Sequence, residues 1–74
     1  MTLDRAPLHA PLTLLRLDVP HATLARLTAL GLRRGVSVEV VQKLAAGGRV
    51  VAVGGGRIAL ARDILARLDV EAAA

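Results

Sequence analysis

The period of the apolar positions changes several times along the chain, and each change marks an element. Leu12, Leu14, Leu17 and Val19 alternate imperfectly with their neighbours, Leu15 falling opposite Leu14. That pattern predicts a strand covered on one face and partly on the other. Leu24, Leu27 and Leu30 then recur at helical spacing and predict a helix over residues 20–30, with Pro20 tolerated in its first turn and Asp18 placed to cap it. The helical pattern stops at Gly31, a residue free to take the left-handed conformation that closes a helix. With Gly31 at C′, Leu32 occupies C″ and Leu27 occupies C3, the two positions whose side chains touch in a Schellman stop. Arg33, Arg34 and Gly35 then make a turn, Gly35 supplying a positive φ. Val36, Val38 and Val40 follow on one face with Ser37 and Glu39 on the other, the mark of a half-buried strand.

Downstream, Leu44 leads into Ala45-Ala46-Gly47-Gly48, and residues 49–53 return as a strand, so the pair reads as a hairpin with a glycine turn. Gly54-Gly55-Gly56 is the next turn. Ile58 and Leu60 begin a fourth strand, residues 62–67 are long enough for one helical turn, and residues 68–70 add a short closing strand. Residues 1–11 hold Pro7 and Pro11 and keep no period, which predicts a flexible leader. Residues 12–71 form the domain and residues 72–74 a tail. About five strands, a short helix after the first and a helical turn before the last make a mainly β fold: a small SH3-like antiparallel barrel, whose closure removes exposed sheet edges.

At 74 residues the chain has room for one domain, and a chain this short buries only about 60% of its unfolded surface. It contains no cysteine to staple it, so an aliphatic core must suffice. The first residues lack the basic start, apolar block and cleavage site of a signal peptide, and no apolar run approaches the ~18 residues of a membrane span. These features predict a soluble, cytoplasmic location.

The residues that could carry chemistry are sparse. Catalysis by paired carboxylates requires two acids that converge, and Asp4, Asp18, Glu39, Asp63, Asp69 and Glu71 are scattered over caps, ends and strand exteriors. Ser37 is the one serine, on a strand with no histidine beside it in sequence, and it reads as a solvent-facing strand residue rather than a nucleophile. His9 and His21 match no metal-ligand spacing and no cysteine joins them. The glycine run at 54–56 is followed by Arg57 and a strand, not by the Lys-Ser/Thr and helix of a phosphate loop. No catalytic residue, metal site or cofactor is therefore expected, and no small-molecule substrate. The net charge of +4, with nine of the ten bases arginine, raises the alternative of a basic nucleic-acid-binding barrel. The absence of Phe, Tyr and Trp removes the stacking platforms such binders use, and the arginines are spread along the chain. Lacking aromatics, the chain also lacks the grooves that hold proline-rich peptides.

The leucine-rich short helix ending Leu30-Gly31-Leu32, the basic pair Arg33-Arg34, Gly35 and the alternating valine strand resemble the FeoA family, small cytosolic accessory proteins of bacterial ferrous iron transport. Gly56-Arg57-Ile58-Ala59-Leu60 resembles the family's Gly-x-x-x-Leu segment, and Leu68-Asp69-Val70 its closing hydrophobic strand. Leu27, Gly31, Gly35, Gly56 and Leu60 are the fingerprint; each marks a turn or a core position and none is chemical. The resemblance implies the same SH3-like barrel and a non-enzymatic role. Its partner would be a FeoB-like membrane ferrous iron transporter with a GTPase domain, which would recruit the protein to the inner face of the membrane. It associates the family with transition metals, although no iron site is legible in these residues. Loops on a rigid barrel concentrate recognition residues, so Leu30, Leu32, Arg33 and Arg34 are the expected partner-binding set, with weak self-association left open. A third reading is a regulatory module like the SH3-like C-terminal domain of metal-dependent repressors. It is weakened because such domains follow a helix-turn-helix and a dimerisation domain, and neither is expected here.

Overall fold

The computed structural model describes residues 1–73. Five strands, β1 (Leu12–Leu17), β2 (Ser37–Lys43), β3 (Arg49–Val53), β4 (Gly56–Leu60) and β5 (Leu68–Ala72), form one antiparallel sheet in the order β4-β3-β2-β1-β5. Helix α1 (His21–Ala29) joins β1 to β2, and a single helical turn, α2 (Arg62–Leu65), joins β4 to β5. Strand count, helix placement and chain order follow the sequence-based expectation.

The imperfect alternation of β1 has a specific cause. Leu14 pairs with Val70 and Arg16 with Asp69, so Leu15 is an extra residue on the β1 side of the ladder, a bulge that leaves its side chain exposed. A second irregularity between Val40 and Gln42 makes Val41 the extra residue in β2, where it stays half-buried. Such bulges increase local twist and bend a short sheet, here around a core that is wholly aliphatic. Leu12, Leu14, Val40, Val51, Leu68 and Val70 are fully or almost fully buried, and among the described residues no polar side chain is.

The turns are as the sequence implies, with two adjustments. β2 and β3 are joined by a 3-10 turn, Ala45–Gly47, in which Ala46 itself adopts a left-handed φ of 59° ahead of Gly47. The β3–β4 turn consists of Gly54 and Gly55; Gly56 already pairs with Val53 as the first residue of β4. The capping role expected of Asp18 is not realised: Pro20 is the N-cap residue of α1 and no side chain caps the helix.

The largest departure is at the N-terminus. Instead of a flexible leader, residues 1–11 form a strap across the barrel. Leu3 is 0% exposed, Ala6 is buried, and both belong to the same apolar cluster as the strands. The Val70 N–H donates to the Met1 carbonyl at 2.8 Å, and the His9 N–H donates to the Val40 carbonyl at 2.8 Å. Thr2 bridges to Asp69 and Leu8 to Val40. The hydrogen-bonded ladder ends at β4 and β5, and the strap covers the outer edge of β5 and the stretch of β2 beyond its short pairing with β1. The barrel thus manages its edges with a cover as well as with curvature. The prolines that break periodicity do not prevent burial, because an irregular segment needs only one or two apolar residues aimed inward. At the other end the expected tail begins later: Ala72 is in β5, the Ala73 N–H donates to the Pro11 carbonyl at 3.0 Å, and Ala74 lies outside the described residues.

Candidate docking surface

Helix α1 ends as its sequence dictates. The Leu32 N–H donates to the Leu27 carbonyl at 2.9 Å and the Gly31 N–H to the Thr28 carbonyl at 3.0 Å, with Gly31 at φ 99°. This is the paired bonding of a Schellman stop, and its apolar contact is supplied by Leu27 and Leu32, both buried. The chain then turns through Arg33 and Arg34, the Val36 N–H donating to the Arg33 carbonyl at 3.2 Å and the Gly35 N–H to the Leu14 carbonyl at 2.7 Å. Gly35 has the expected positive φ of 87°. Leu60, like Leu27, is a core residue, whereas Gly56 is exposed at the base of its hairpin.

One member of the expected partner-binding set is displaced by this geometry. Leu32 is 0% exposed, because the Schellman stop folds it back into the core, so its side chain is not on the surface a partner would meet. Leu30 is 53% exposed and stands at the rim of an open groove of about 740 Å³. The groove runs from the end of α1 across Val36 and Val38 to Val53 and Gly54, with Ser37 and Glu39 on its margin. Arg33 and Arg34 are exposed, but Arg34 lines a separate hollow with Thr13 and the bulged Leu15. The structure therefore brings Leu30 together with the β3–β4 hairpin, and Arg34 with β1. Val53 and Gly54 were not readable as groove residues, since they lie more than twenty positions from Leu30 and their only signal was a glycine run that also explains a tight turn.

His9 Nδ1 lies 3.8 Å from a Glu39 carboxylate oxygen, His21 opens α1, and no three His, Cys, Asp or Glu side chains group together among the described residues. Ser37 is paired with Thr13 at the exposed start of β2.

The five-stranded antiparallel sheet with its two short helices is a small SH3-like barrel, with the apolar groove open on its surface. The model of the FeoA domain matches residues 1–72, and the chain belongs to the FeoA family. Its backbone superposes on iron(II) transport protein A from Clostridium thermocellum with a TM-score of 0.90 at 27% identity, over 97% of this chain and 45% of that one. The FeoA of Stenotrophomonas maltophilia, solved with zinc and described as a prokaryotic SH3 domain protein, is 34% identical over 96% of this chain and 89% of its own, with a TM-score of 0.79. The manganese regulator SloR shares the fold at a TM-score of 0.82 and 16% identity, with this chain spanning 34% of its length. No curated protein is similar enough to this chain to count as a match.

Proposed function

We propose that this protein is a non-enzymatic accessory factor of ferrous iron transport, acting in the cytoplasm by docking on a membrane transporter that carries a GTP-binding domain. Family membership supports the pathway, and the FeoA of Stenotrophomonas maltophilia has been put forward as a ferrous iron transport activating factor. No helix among the described residues is long and apolar enough to cross a membrane, so attachment there would come through the partner. The observation that carries the docking reading is Leu30, a large apolar side chain left 53% exposed at the rim of an apolar groove, directly before the Arg33-Arg34 turn. An apolar side chain of the partner would seat against Leu30 and Val53, and carboxylates beside it would meet the two arginines. Arginine is among the residues that most often carry interface energy, and charge complementarity adds rate and specificity.

The experiment compares Leu30→Ser and the double variant Arg33→Ala/Arg34→Ala with a control, Arg16→Ala/Arg67→Ala, in transporter pull-down and iron uptake. All five substituted positions are exposed, so folding should change by no more than roughly 0.5 kcal/mol per site. Docking should weaken in the first two variants and not in the control. Equal weakening in the two arginine doubles would indicate general charge steering, and no effect in Leu30→Ser or Arg33→Ala/Arg34→Ala would place the docking face elsewhere.

A further inference from the structure

At the end of the barrel where the strap crosses β2 and β3, cations from four parts of the chain converge. Arg5 from the strap, Lys43 from the end of β2, Arg49 from the start of β3 and Arg62 from α2 line one hollow of about 340 Å³, with Leu44, Gly47 and Gly48 as its floor. Asp4 is the only carboxylate on its wall, and the Thr2 hydroxyl donates to it. The ion pairs found among the described residues, His9 with Glu39 and Arg16 with Asp18, involve none of the four cations.

Two details make this more than a basic surface. Lys43 and Arg49 are direct partners in the β2–β3 ladder, which sets two like charges opposite each other on one face, an arrangement that destabilises a sheet unless something of the other sign lies between them. The Arg62 side chain lies across Gly47, so closely that a Cβ on that glycine would meet its Cδ at 2.7 Å. A side chain at position 47 would therefore push Arg62 away from the hollow. Arg49 is half-buried and anchored, its Nη1 donating to the Ala6 carbonyl at 2.5 Å, which orients its guanidinium while leaving its other donors unpartnered among the described residues.

We propose that this hollow is an oxyanion site that takes a phosphate group. Guanidinium forks match phosphate oxygens in pairs and a lysine adds a compact point charge. The bound dianion would lie between Lys43 and Arg49 and cancel their repulsion. With no aromatic residue in the chain, nothing there would stack a base, so the group recognised is the phosphate itself, free or on a phospholipid headgroup. The site is separate from the Leu30 groove and does not depend on the transporter-docking reading.

The test is amide NMR on 15N-labelled protein titrated with sodium phosphate against sodium chloride at equal ionic strength and pH. Saturable shifts at Gly47 and Gly48 are expected with phosphate and not with chloride. Lys43→Gln/Arg62→Gln, both exposed positions, should weaken them at least about tenfold while leaving the rest of the spectrum in place. The variant Arg26→Gln/Arg67→Gln, which removes the same charge outside the hollow, should bind phosphate as the parent does. Co-sedimentation with phosphatidylglycerol vesicles, against phosphatidylcholine, separates the two sources. Vesicle binding lost only in Lys43→Gln/Arg62→Gln assigns the site to a headgroup, and phosphate shifts without vesicle binding assign it to free phosphate. The proposal is overturned if chloride reproduces the shifts, if both doubles weaken binding alike, or if neither phosphate nor anionic vesicles bind.

Discussion

Gly31 and Leu3 carry opposite lessons at the scale of single residues. Gly31 is needed for its backbone: at φ 99° an L side chain is strained whatever the space around it, and a Cβ there would meet only Val53 at 3.9 Å. Gly31→Ala should therefore cost about 1 kcal/mol, and Gly31→Val more, because β-branching crowds the left-handed region further. Equilibrium denaturation checks it; an unchanged midpoint for both variants would mean that the helix ends in some other way. Leu3 is needed for its volume. It is fully buried, so Leu3→Ala should lose about 2 to 5 kcal/mol, the range for emptying a packed aliphatic site. A leader that merely frayed would show almost no change. The first residue is conspicuous in sequence because glycine after a leucine stripe has few other uses. The second is not, because a lone leucine between a threonine and an aspartate carries no period.

Among elements, strands and helices differ in how far their neighbours matter. The end of α1 is local chemistry: the stripe, the glycine and the returning leucine are consecutive, and the structure reproduces them bond for bond. Strand β1 is not local in that way. Its bulge at Leu15 follows from pairing with β5, more than fifty residues downstream, and the sequence shows only an alternation that fails. The β2–β3 pair holds a testable imbalance in the opposed Lys43 and Arg49. In phosphate-free buffer, Lys43→Gln should raise the melting temperature, relief of a like-charge cross-strand pair being worth up to about 1 kcal/mol. A lower melting temperature would show that the pair is already neutralised from within the protein.

For the whole molecule, charge is the clearest lever. Ten basic residues face six acidic ones, and both ion pairs among the described residues join side chains that are substantially exposed. Exposed pairs contribute little, whereas net charge repels itself within a compact body. Moderate sodium chloride should therefore raise the melting temperature; a steady fall with salt would mean that attractive pairs dominate. Ferrous iron presents a second test at this scale. With no group of three metal-ligating side chains among the described residues, calorimetry with ferrous iron should reveal no stoichiometric micromolar site on the isolated protein, and finding one would require ligands from an arrangement other than this fold.

What the sequence determined by itself is what neighbours in the chain decide: the helix and its stop at Gly31, the turn at Gly35, the inward face of Val38 and Val40, the glycine turns, and with them the order of a small β-barrel. Dihedral preference and side-chain period act over a few residues, so they survive translation into one dimension. The tertiary structure decided what depends on residues far apart. It buried Leu32, a fate its own helix stop implies and one that removes it from the expected partner-binding set. It turned residues 1–11 into a strap, since burial of Leu3 depends on a cleft that only the assembled strands and α2 create. It also paired Leu30 with Val53 in one groove and gathered Arg5, Lys43, Arg49 and Arg62 into another hollow. Arginines that look evenly spread in sequence become a cluster because strand pairing and a crossing strap bring distant positions to the same end of the barrel.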